Sequence, residues 1–142
     1  MPEPTLVTRR PVVIEWGDCD PAGIVFYPRY FAMFDAATGG LFQAALGMPK
    51  IRWIARFGIL GIPMVDTRAR FLIPSAYGDE VVIESRVAAF RRSSFDVQHR
   101  LLKGEALAVE ASETRVWTVR DPETGAIRSH PIPPEVIAAV AR

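Results

Sequence analysis

The spacing of apolar residues changes near residue 28, and this change separates a strand from a long helix. Before it, the apolar segment 12–16 predicts a short β-strand, which Gly17 and the polar residues after it end. Beyond it, apolar side chains recur at helical spacing from about residue 28 to residue 46. Small apolar residues fill much of the remaining circumference, so we expect this helix to be buried on most sides.

Two glycines, Gly39 and Gly40, lie inside the predicted helix. Each costs a helix about 1 kcal/mol relative to alanine. We therefore expect another part of the protein to pack closely against the helix at this point. Gly47, followed by Pro49, predicts where the helix ends.

The chain after residue 61 is dominated by apolar segments that short turns separate. Connections this short require antiparallel pairing, since parallel strands need crossovers of about a dozen residues. The pattern therefore predicts an α+β protein in which a five-stranded antiparallel sheet wraps around one long central helix, an arrangement known as the hotdog fold. Strands this long leave edges that homo-oligomerisation usually covers. The predicted later strands are 64–73, 80–90, 94–102 and 105–120, with helical turns at 50–57 and 134–140.

Composition limits the possible functions. The 142 residues are 49% hydrophobic and 23% charged, which fits one domain spanning 1–142. A net charge of +1 gives no reason to expect a nucleic-acid partner, and no apolar run reaches the ~20 residues needed to cross a membrane. The N-terminus lacks the pattern of a secretory signal, so we expect a cytoplasmic protein. Cys19 stands alone, which excludes an internal disulfide.

The segment between the first strand and the long helix holds the strongest candidate chemistry. Asp18 and Asp20 are followed by Pro21 and Gly23, just before the helix begins. The first N–H groups of a helix lack internal partners and carry partial positive charge. A carboxylate delivered there would place a base or nucleophile beside a ready-made oxyanion site. A solvated turn is the alternative.

Other catalytic or metal chemistries fit the sequence poorly. Read as a calcium loop, the segment would have Ala22 at its fifth position and Arg29 at its twelfth, where acidic or amide ligands are required. Cys19 lies between two aspartates, whose negative charges disfavour the thiolate that a cysteine nucleophile requires. His99 lies in a strand alternation typical of a packed histidine, and no histidine pair has metal-ligand spacing, so we expect no metal site.

Residues 18–30 resemble the signature loop and helix start of the 4-hydroxybenzoyl-CoA thioesterases, a family of the hotdog superfamily. The resemblance continues at 58–63, 77–79 and 91–95. It implies an acyl-CoA substrate, no cofactor beyond the coenzyme A of that substrate, and a dimer or tetramer with active sites at subunit interfaces.

The resemblance also implies roles for individual residues. The family's catalytic carboxylate falls on Asp20, and the backbone N–H that polarises the thioester carbonyl falls on Tyr27. The basic residues that meet the phosphates of coenzyme A fall on Arg91 and Arg92, with Ser93 beside them. A solvated charge pair is the alternative for the two arginines.

The acyl pocket is implied by three further positions. Asp35 matches the helix aspartate associated with the ring-hydroxyl end of the pocket, and Gly61 and Ile62 match positions beside it. Ile62 stands where the family tends to carry a smaller polar residue. We therefore expect a thioesterase for an aromatic acyl-CoA. A short-chain or fatty acyl-CoA thioesterase and a non-catalytic acyl-CoA-binding module are the alternatives.

Overall fold

Five antiparallel strands form one curved sheet in the computed structural model, which describes residues 1–141. The strand order across the sheet is β1-β3-β4-β5-β2, so β1 and β2 are its edges. The α+β hotdog architecture predicted from the sequence is confirmed. The sheet strands are β1 (Val7–Val13), β2 (Met64–Phe71), β3 (Glu80–Phe90), β4 (Ser94–Lys103) and β5 (Ala106–Val116); the helices are α1 (Tyr27–Leu46), α2 (Lys50–Phe57) and α3 (Pro134–Val140).

Helix α1 packs on the sheet along one side only. Its buried residues recur every three or four positions, as a helix with one buried face requires. Ala32, Ala36 and Gln43 on the other side are exposed, so the expectation of burial on most sides is wrong for the single chain. The buried residues are Tyr30, Phe34, Ala37, Thr38, Leu41, Phe42 and Ala45.

The two helix glycines do not mark a close approach within the chain. A Cβ added to Gly39 would meet no atom of the described residues within 4 Å outside its own helix surroundings. A Cβ on Gly40 would lie 3.6 Å from the Arg10 guanidinium, which is an ordinary contact. The close packing expected at these positions is therefore not made inside this chain.

The first strand lies earlier than predicted. Strand β1 is polar over much of its length and contains Pro11, both of which suit an edge strand. The segment predicted as strand ends in a one-turn 3₁₀ helix (Trp16–Asp18), in which Trp16 is exposed. The strand predicted at 105–120 is interrupted at Trp117. Beyond it, β6 (Thr118–Arg120) pairs with β7 (Ile127–Ser129) in a separate two-stranded ribbon.

The interior consists of two apolar clusters. One surrounds the stacked rings of Trp53 and Trp117, whose centroids are 6.1 Å apart, and includes the buried side of α3. The other surrounds Phe34 and includes Ile14 and Val25, which flank the loop before α1. The start of α1 is thus fixed by the second cluster. No described helix is long and apolar enough to cross a bilayer.

Candidate active site

The loop before α1 is fixed by its own hydrogen bonds. The Asp18 carboxylate accepts a hydrogen bond from the Glu15 backbone N–H at 2.9 Å, and the Asp18 carbonyl accepts one from the Phe26 N–H at 2.8 Å. Gly23 has a φ of 84°, a left-handed conformation that glycine adopts readily. Asp18 therefore closes the loop, and Gly23 allows it to turn.

Asp20 is held at the turn of this loop with half of its carboxylate free. Its Oδ1 accepts a hydrogen bond from the Ala22 N–H at 2.8 Å, and its own N–H donates to the Ile24 carbonyl at 2.9 Å. Oδ2 has no hydrogen-bond partner among residues 1–141. The side chain is half-buried. The hydrogen bond from Ala22 thus fixes the orientation of the Asp20 carboxylate and leaves Oδ2 unpaired, in the loop that leads into α1.

The N-terminus of α1 carries an unused donor. Tyr27 is its first residue, and no side chain caps the helix at Phe26. The Tyr27 N–H has no partner within the described chain, and Pro28 has no N–H to offer. Tyr27 itself is 59% exposed. An unpaired backbone donor therefore lies at the first residue of α1, and the role that the resemblance implies for it stays a prediction.

Asp35, two turns further along α1, is paired with a buried arginine. The Asp35 side chain is 57% exposed, and its Oδ1 accepts a hydrogen bond from Nη2 of Arg115 at 2.7 Å. Nothing in the sequence pattern indicates that Arg115 is the partner of Asp35. The arginine lies on β5, with only 4% of its side chain exposed.

The same arginine reaches the segment before β2. Its Nη1 donates to the Ile62 carbonyl at 3.1 Å. The neighbouring Gly61 carbonyl accepts a hydrogen bond from Thr118 Oγ1 at 2.8 Å. The Ile62 side chain is buried in the cluster around the tryptophans. Three positions that the resemblance assigned separately to the acyl pocket are therefore linked to neighbouring parts of one segment: Asp35 and Ile62 through Arg115 on β5, and Gly61 through Thr118 at the start of β6.

The two adjacent arginines differ in their surroundings. Arg91 forms a two-pronged ion pair with Asp96, with contacts of 2.7 and 2.9 Å, and its Nε donates to Ser94 Oγ at 2.8 Å. This hydrogen bonding raises the pKa of Arg91 and lowers that of Asp96. The side chain of Arg92 is exposed and makes no ion pair with any described residue. Ser93 is half-buried, and its carbonyl accepts the Trp117 N–H at 2.7 Å.

A set of buried polar side chains crosses the interior between the two apolar clusters. We name it the polar layer; it comprises Thr38, Ser85, His99 and Glu113, each at most 2% exposed. Thr38 Oγ1 donates to Glu113 at 2.6 Å and lies 3.1 Å from His99 Nε2, which must then be the donor. Ser85 Oγ lies 2.7 Å from His99 Nδ1, within hydrogen-bond distance. His99 is thus a packed strand histidine, as predicted.

Arg115 is attached to the polar layer through Glu113. Its Nε and Nη2 donate to the two oxygens of that carboxylate at 2.9 and 3.2 Å. Burial alone would raise the pKa of Glu113, but hydrogen bonds from His99, Arg115 and Thr38 outweigh it and lower the pKa to about 2. Glu113 is therefore ionised at neutral pH.

One sequence signal points to this arrangement. Glu113 and Arg115 alternate with Ser112 and Thr114, so they share the inward face of β5 with Ala111. Two charged residues at successive inward positions require partners in the interior.

The remaining candidates have simpler environments: the Cys19 Sγ donates to the Glu15 carbonyl at 3.6 Å, His130 is exposed, and residues 1–141 contain no cluster of metal ligands.

Comparison with known proteins places the chain in a family. Residues 14–140 match the thioesterase-like superfamily. The chain belongs to this superfamily. The enzyme class expected from the sequence, an acyl-CoA thioester hydrolase, is confirmed by this membership and by the named relatives.

The similarity extends over nearly the whole chain. The chain is 36% identical over 130 residues to the 4-hydroxybenzoyl-CoA thioesterase of Pseudomonas sp. (strain CBS-3). The aligned region covers 87% of this chain and 90% of that protein. A crystal structure of a 4-hydroxybenzoyl-CoA thioesterase variant with asparagine in place of an aspartate, in complex with 4-hydroxybenzoyl-CoA, has a TM-score of 0.86 at 33% identity, covering 94% and 98% of the two chains. A gentisyl-coenzyme A thioesterase has a TM-score of 0.80 at 30% identity, covering 95% and 100%. The resemblance to the 4-hydroxybenzoyl-CoA thioesterase family is thereby confirmed.

Proposed function

We propose that this protein hydrolyses the thioester of an aromatic acyl-CoA, with Asp20 as the catalytic carboxylate. The observation that carries the proposal is the Asp20 side chain, held by Ala22 with one oxygen free, in the loop that leads into an uncapped helix. The relatives that share most of the chain act on aroyl thioesters of coenzyme A by name. Water is the only co-substrate that the reaction needs.

Asp20 has two possible roles in the proposed reaction. As a nucleophile, its free oxygen attacks the thioester carbonyl carbon, the C–S bond breaks, and coenzyme A leaves as a thiolate that takes up a proton. Water then hydrolyses the mixed anhydride to the free acid and restores the carboxylate. As a general base, Asp20 instead takes a proton from water as the water oxygen attacks the carbonyl carbon; the C–S bond then breaks, and the leaving thiolate of coenzyme A takes up that proton and restores the carboxylate.

Either route places negative charge on the carbonyl oxygen. The Tyr27 N–H, which lacks a partner among residues 1–141, is the donor that we assign to this oxygen. The partial positive charge of the helix N-terminus adds to its effect. Loss of one such donor typically costs about 3–4 kcal/mol of transition-state stabilisation. Because the donor is a backbone group, its contribution depends on the position of α1 and survives substitution of the tyrosine side chain.

The coenzyme is assigned to the connection between β3 and β4. Arg92 offers a free guanidinium, which binds phosphate oxygens in a two-pronged manner. Arg91 is already engaged by Asp96 and Ser94, so we assign it to shaping the connection on which Arg92 and Ser93 lie. A homo-oligomer is also part of the proposal, since both sheet edges and one side of α1 are uncovered in the single chain.

The decisive experiment compares Asp20→Asn with Asp121→Asn. Asp121 accepts a hydrogen bond from the backbone N–H two residues later at 2.8 Å, in the same way as Asp20, but it lies in the turn between β6 and β7. The assay follows thiol release from benzoyl-, 4-hydroxybenzoyl-, phenylacetyl- and aliphatic CoA thioesters. We expect Asp20→Asn to lower kcat for the aroyl thioesters by about 10²–10⁴-fold, and Asp121→Asn to leave it unchanged.

Several results would contradict the proposal. Near-normal hydrolysis by a folded Asp20→Asn protein would remove Asp20 from the mechanism. Exclusive use of aliphatic thioesters would replace the aromatic acyl group, and CoA binding without any turnover would make the protein a binding module. Rapid acid quench with an acyl-labelled substrate separates the two roles of Asp20, because only the nucleophilic route leaves label covalently attached to the protein.

A further inference from the structure

Charged side chains of opposite sign alternate across the outer face of the sheet. Directly paired residues of the five strands form one row, which runs from β2 to β1 through Arg70, Glu110, Arg100, Glu84 and Arg9. Ion pairs form within this row, with Arg70 at 2.9 Å from Glu110 and Arg100 at 3.4 Å from Glu84. Opposite charges at directly paired positions stabilise a sheet. With three arginines and two glutamates, the row still carries one excess positive charge.

A second row, two residues away along the strands, contains arginines but no carboxylate. Ser112 on β5 and Gln98 on β4 lie in its middle, with Arg68 beyond Ser112 and Arg86 beyond Gln98. Arg68 Nε donates to Ser112 Oγ at 3.4 Å, and Arg86 donates through Nε and Nη2 to Gln98 Oε1 at 3.1 and 2.9 Å. Both arginines of this row are therefore bound by neutral groups, and neither forms an ion pair within residues 1–141.

The two rows border a groove whose walls are arginines. Arg68 and Arg70 lie two residues apart on β2, and Arg100 lies on β4, on the far side of β5. These separations are about 7 Å along a strand and about 10 Å across two strand spacings. The cavity between the side chains measures about 430 Å³, within the range of small-ligand sites. We name it the arginine groove; its outward-facing polar residues are Arg68, Arg70, Gln98, Arg100, Glu110 and Ser112.

Arg68 and Arg100 retain most of their hydrogen-bond donors. The two terminal nitrogens of Arg68 have no hydrogen-bond partner among residues 1–141. Arg100 uses one nitrogen, in the 3.4 Å contact with Glu84, and Glu84 is shared with Arg9. A guanidinium donates two parallel hydrogen bonds to the oxygens of a phosphate. Two guanidiniums with free donors on opposite walls therefore suit an anion between them.

The charge in and around the groove favours a compact anion. Glu110 is the one carboxylate among the lining residues, so the three guanidiniums leave an excess of two positive charges there. A phosphate monoester carries about two negative charges at neutral pH. Next to Gln98, an adjoining cavity is lined by Asp66 and Asp96. These carboxylates repel a polyanion that extends beyond the groove, which argues against a nucleic acid.

We propose that the arginine groove is a binding site for a small anion with one or two phosphate groups. The anion would accept hydrogen bonds from the free nitrogens of Arg68 and Arg100 and lie over Ser112 on β5. Its residues differ from those assigned above to the thioester and to the coenzyme. The inference therefore goes beyond the proposed function and does not depend on it.

The test is titration calorimetry of the full-length protein with inorganic pyrophosphate, at low ionic strength because exposed charges are screened by salt. We expect Arg68→Gln and Arg100→Gln each to weaken binding about 10-fold, as expected for hydrogen bonds to a charged group. The matched control is Arg56→Gln, which also removes one positive charge and one exposed ion pair, but on α2. This control should leave the affinity unchanged.

Glu110→Gln provides a test of opposite sign. The substitution removes the one carboxylate that lines the groove and releases Arg70 from its ion pair. We expect pyrophosphate to bind about 2- to 5-fold more tightly, which corresponds to the loss of one exposed charge interaction. Should Arg68→Gln or Arg100→Gln fail to fold, Glu110→Gln decides alone, and an unchanged or weaker affinity overturns the inference.

A second probe, adenosine diphosphate, separates the two sources of a diphosphate group. Equal affinity for both probes assigns recognition to the phosphates, and tighter binding of the nucleotide assigns an added contact to the nucleoside; both results support the site. Binding that is lost in Arg92→Ala but kept in Arg68→Gln would place the anion at the connection between β3 and β4, and the inference would be wrong.

Three other results overturn the inference. Neither probe binds the unmodified protein, or polyglutamate binds where pyrophosphate does not, which would make the groove a surface for an acidic polypeptide. The third is a loss of self-association in Arg68→Gln without any binding of pyrophosphate to the unmodified protein. That result would make the groove a contact between copies of the chain.

Discussion

Replacing Glu113 by glutamine tests the energetics of the polar layer most directly. The substitution keeps the shape of the side chain but removes the charge that Arg115, His99 and Thr38 surround. Glutamine also brings two N–H donors into a site where its neighbours already donate. We therefore expect Glu113→Gln to lower the free energy of unfolding at neutral pH.

The pKa of Glu113 gives the size of this effect. Its value of about 2 lies below the ordinary 4.5, and at about 1.36 kcal/mol for each pH unit the difference corresponds to about 3 kcal/mol. Because the folded state holds the lower pKa, this stability is present above pH 4.5 and is lost as the pH falls toward 2. The unmodified protein should therefore lose about 3 kcal/mol over this interval, about 2 kcal/mol of it by pH 3, that Glu113→Gln does not lose.

The assay is a series of urea unfolding titrations between pH 7 and pH 3, at one protein concentration, because oligomerisation shifts apparent stability. The matched control is Glu110→Gln, on the same strand but facing outward, where the ion pair with Arg70 is exposed. An exposed pair contributes about 1 kcal/mol or less. A difference between Glu113→Gln and the unmodified protein that stays constant from pH 7 to pH 3 would refute the reasoning.

Three further predictions follow from packing, backbone conformation and charge. Leu41 is fully buried, so Leu41→Ala should cost about 2–5 kcal/mol in chemical unfolding; a smaller loss would show that the helix packs loosely. Gly58 has a φ of 63°, a left-handed conformation that alanine adopts only with strain, so Gly58→Ala should lower the melting temperature. Gly39→Ala should leave the melting temperature of the monomer unchanged, but it should weaken self-association if a second copy packs against Gly39. Arg92→Ala should raise KM for acyl-CoA with little change in kcat, whereas Arg91→Ala should mainly lower the free energy of unfolding. An unchanged KM for Arg92→Ala would show that Arg92 is a solvated surface residue without contact to the coenzyme.

The sequence predicts the fold well wherever an apolar period ends in a clear turn. Strand β3 and helix α3 lie at the residues predicted, because Gly78 and two prolines before α3 mark their starts. Strand β1 begins and ends earlier in the chain than the predicted strand, because the polar residues of an edge strand give no alternating pattern that distinguishes it from a loop. The sequence does not reveal the β6–β7 ribbon, because strands of three residues are too short to show an alternating pattern.

The sequence also singles out the loop that contains Asp20, but not Arg115, which binds both Asp35 and the Ile62 carbonyl. Asp20 lies next to a predicted helix start, so local sequence is enough to single it out. Arg115 is 80 residues from Asp35 and 53 from Ile62, and only the folded sheet brings the three together. A charged pair in a strand is most often solvated, so Glu113 and Arg115 stand out only once the inward face of β5 is assigned.

Stability alone does not account for the polar layer. Replacing a buried ion pair by well-packed apolar residues is often neutral or stabilising, and the layer interrupts what would otherwise be one continuous apolar interior. Its members nevertheless satisfy one another, and the path they form ends at Asp35, which projects from α1 into solvent. Fixing Asp35 is a role that apolar packing cannot supply, because apolar side chains offer no hydrogen-bond donor to a carboxylate. Holding Asp35 in one position is thus the role that best explains why the protein buries the polar layer despite its desolvation cost.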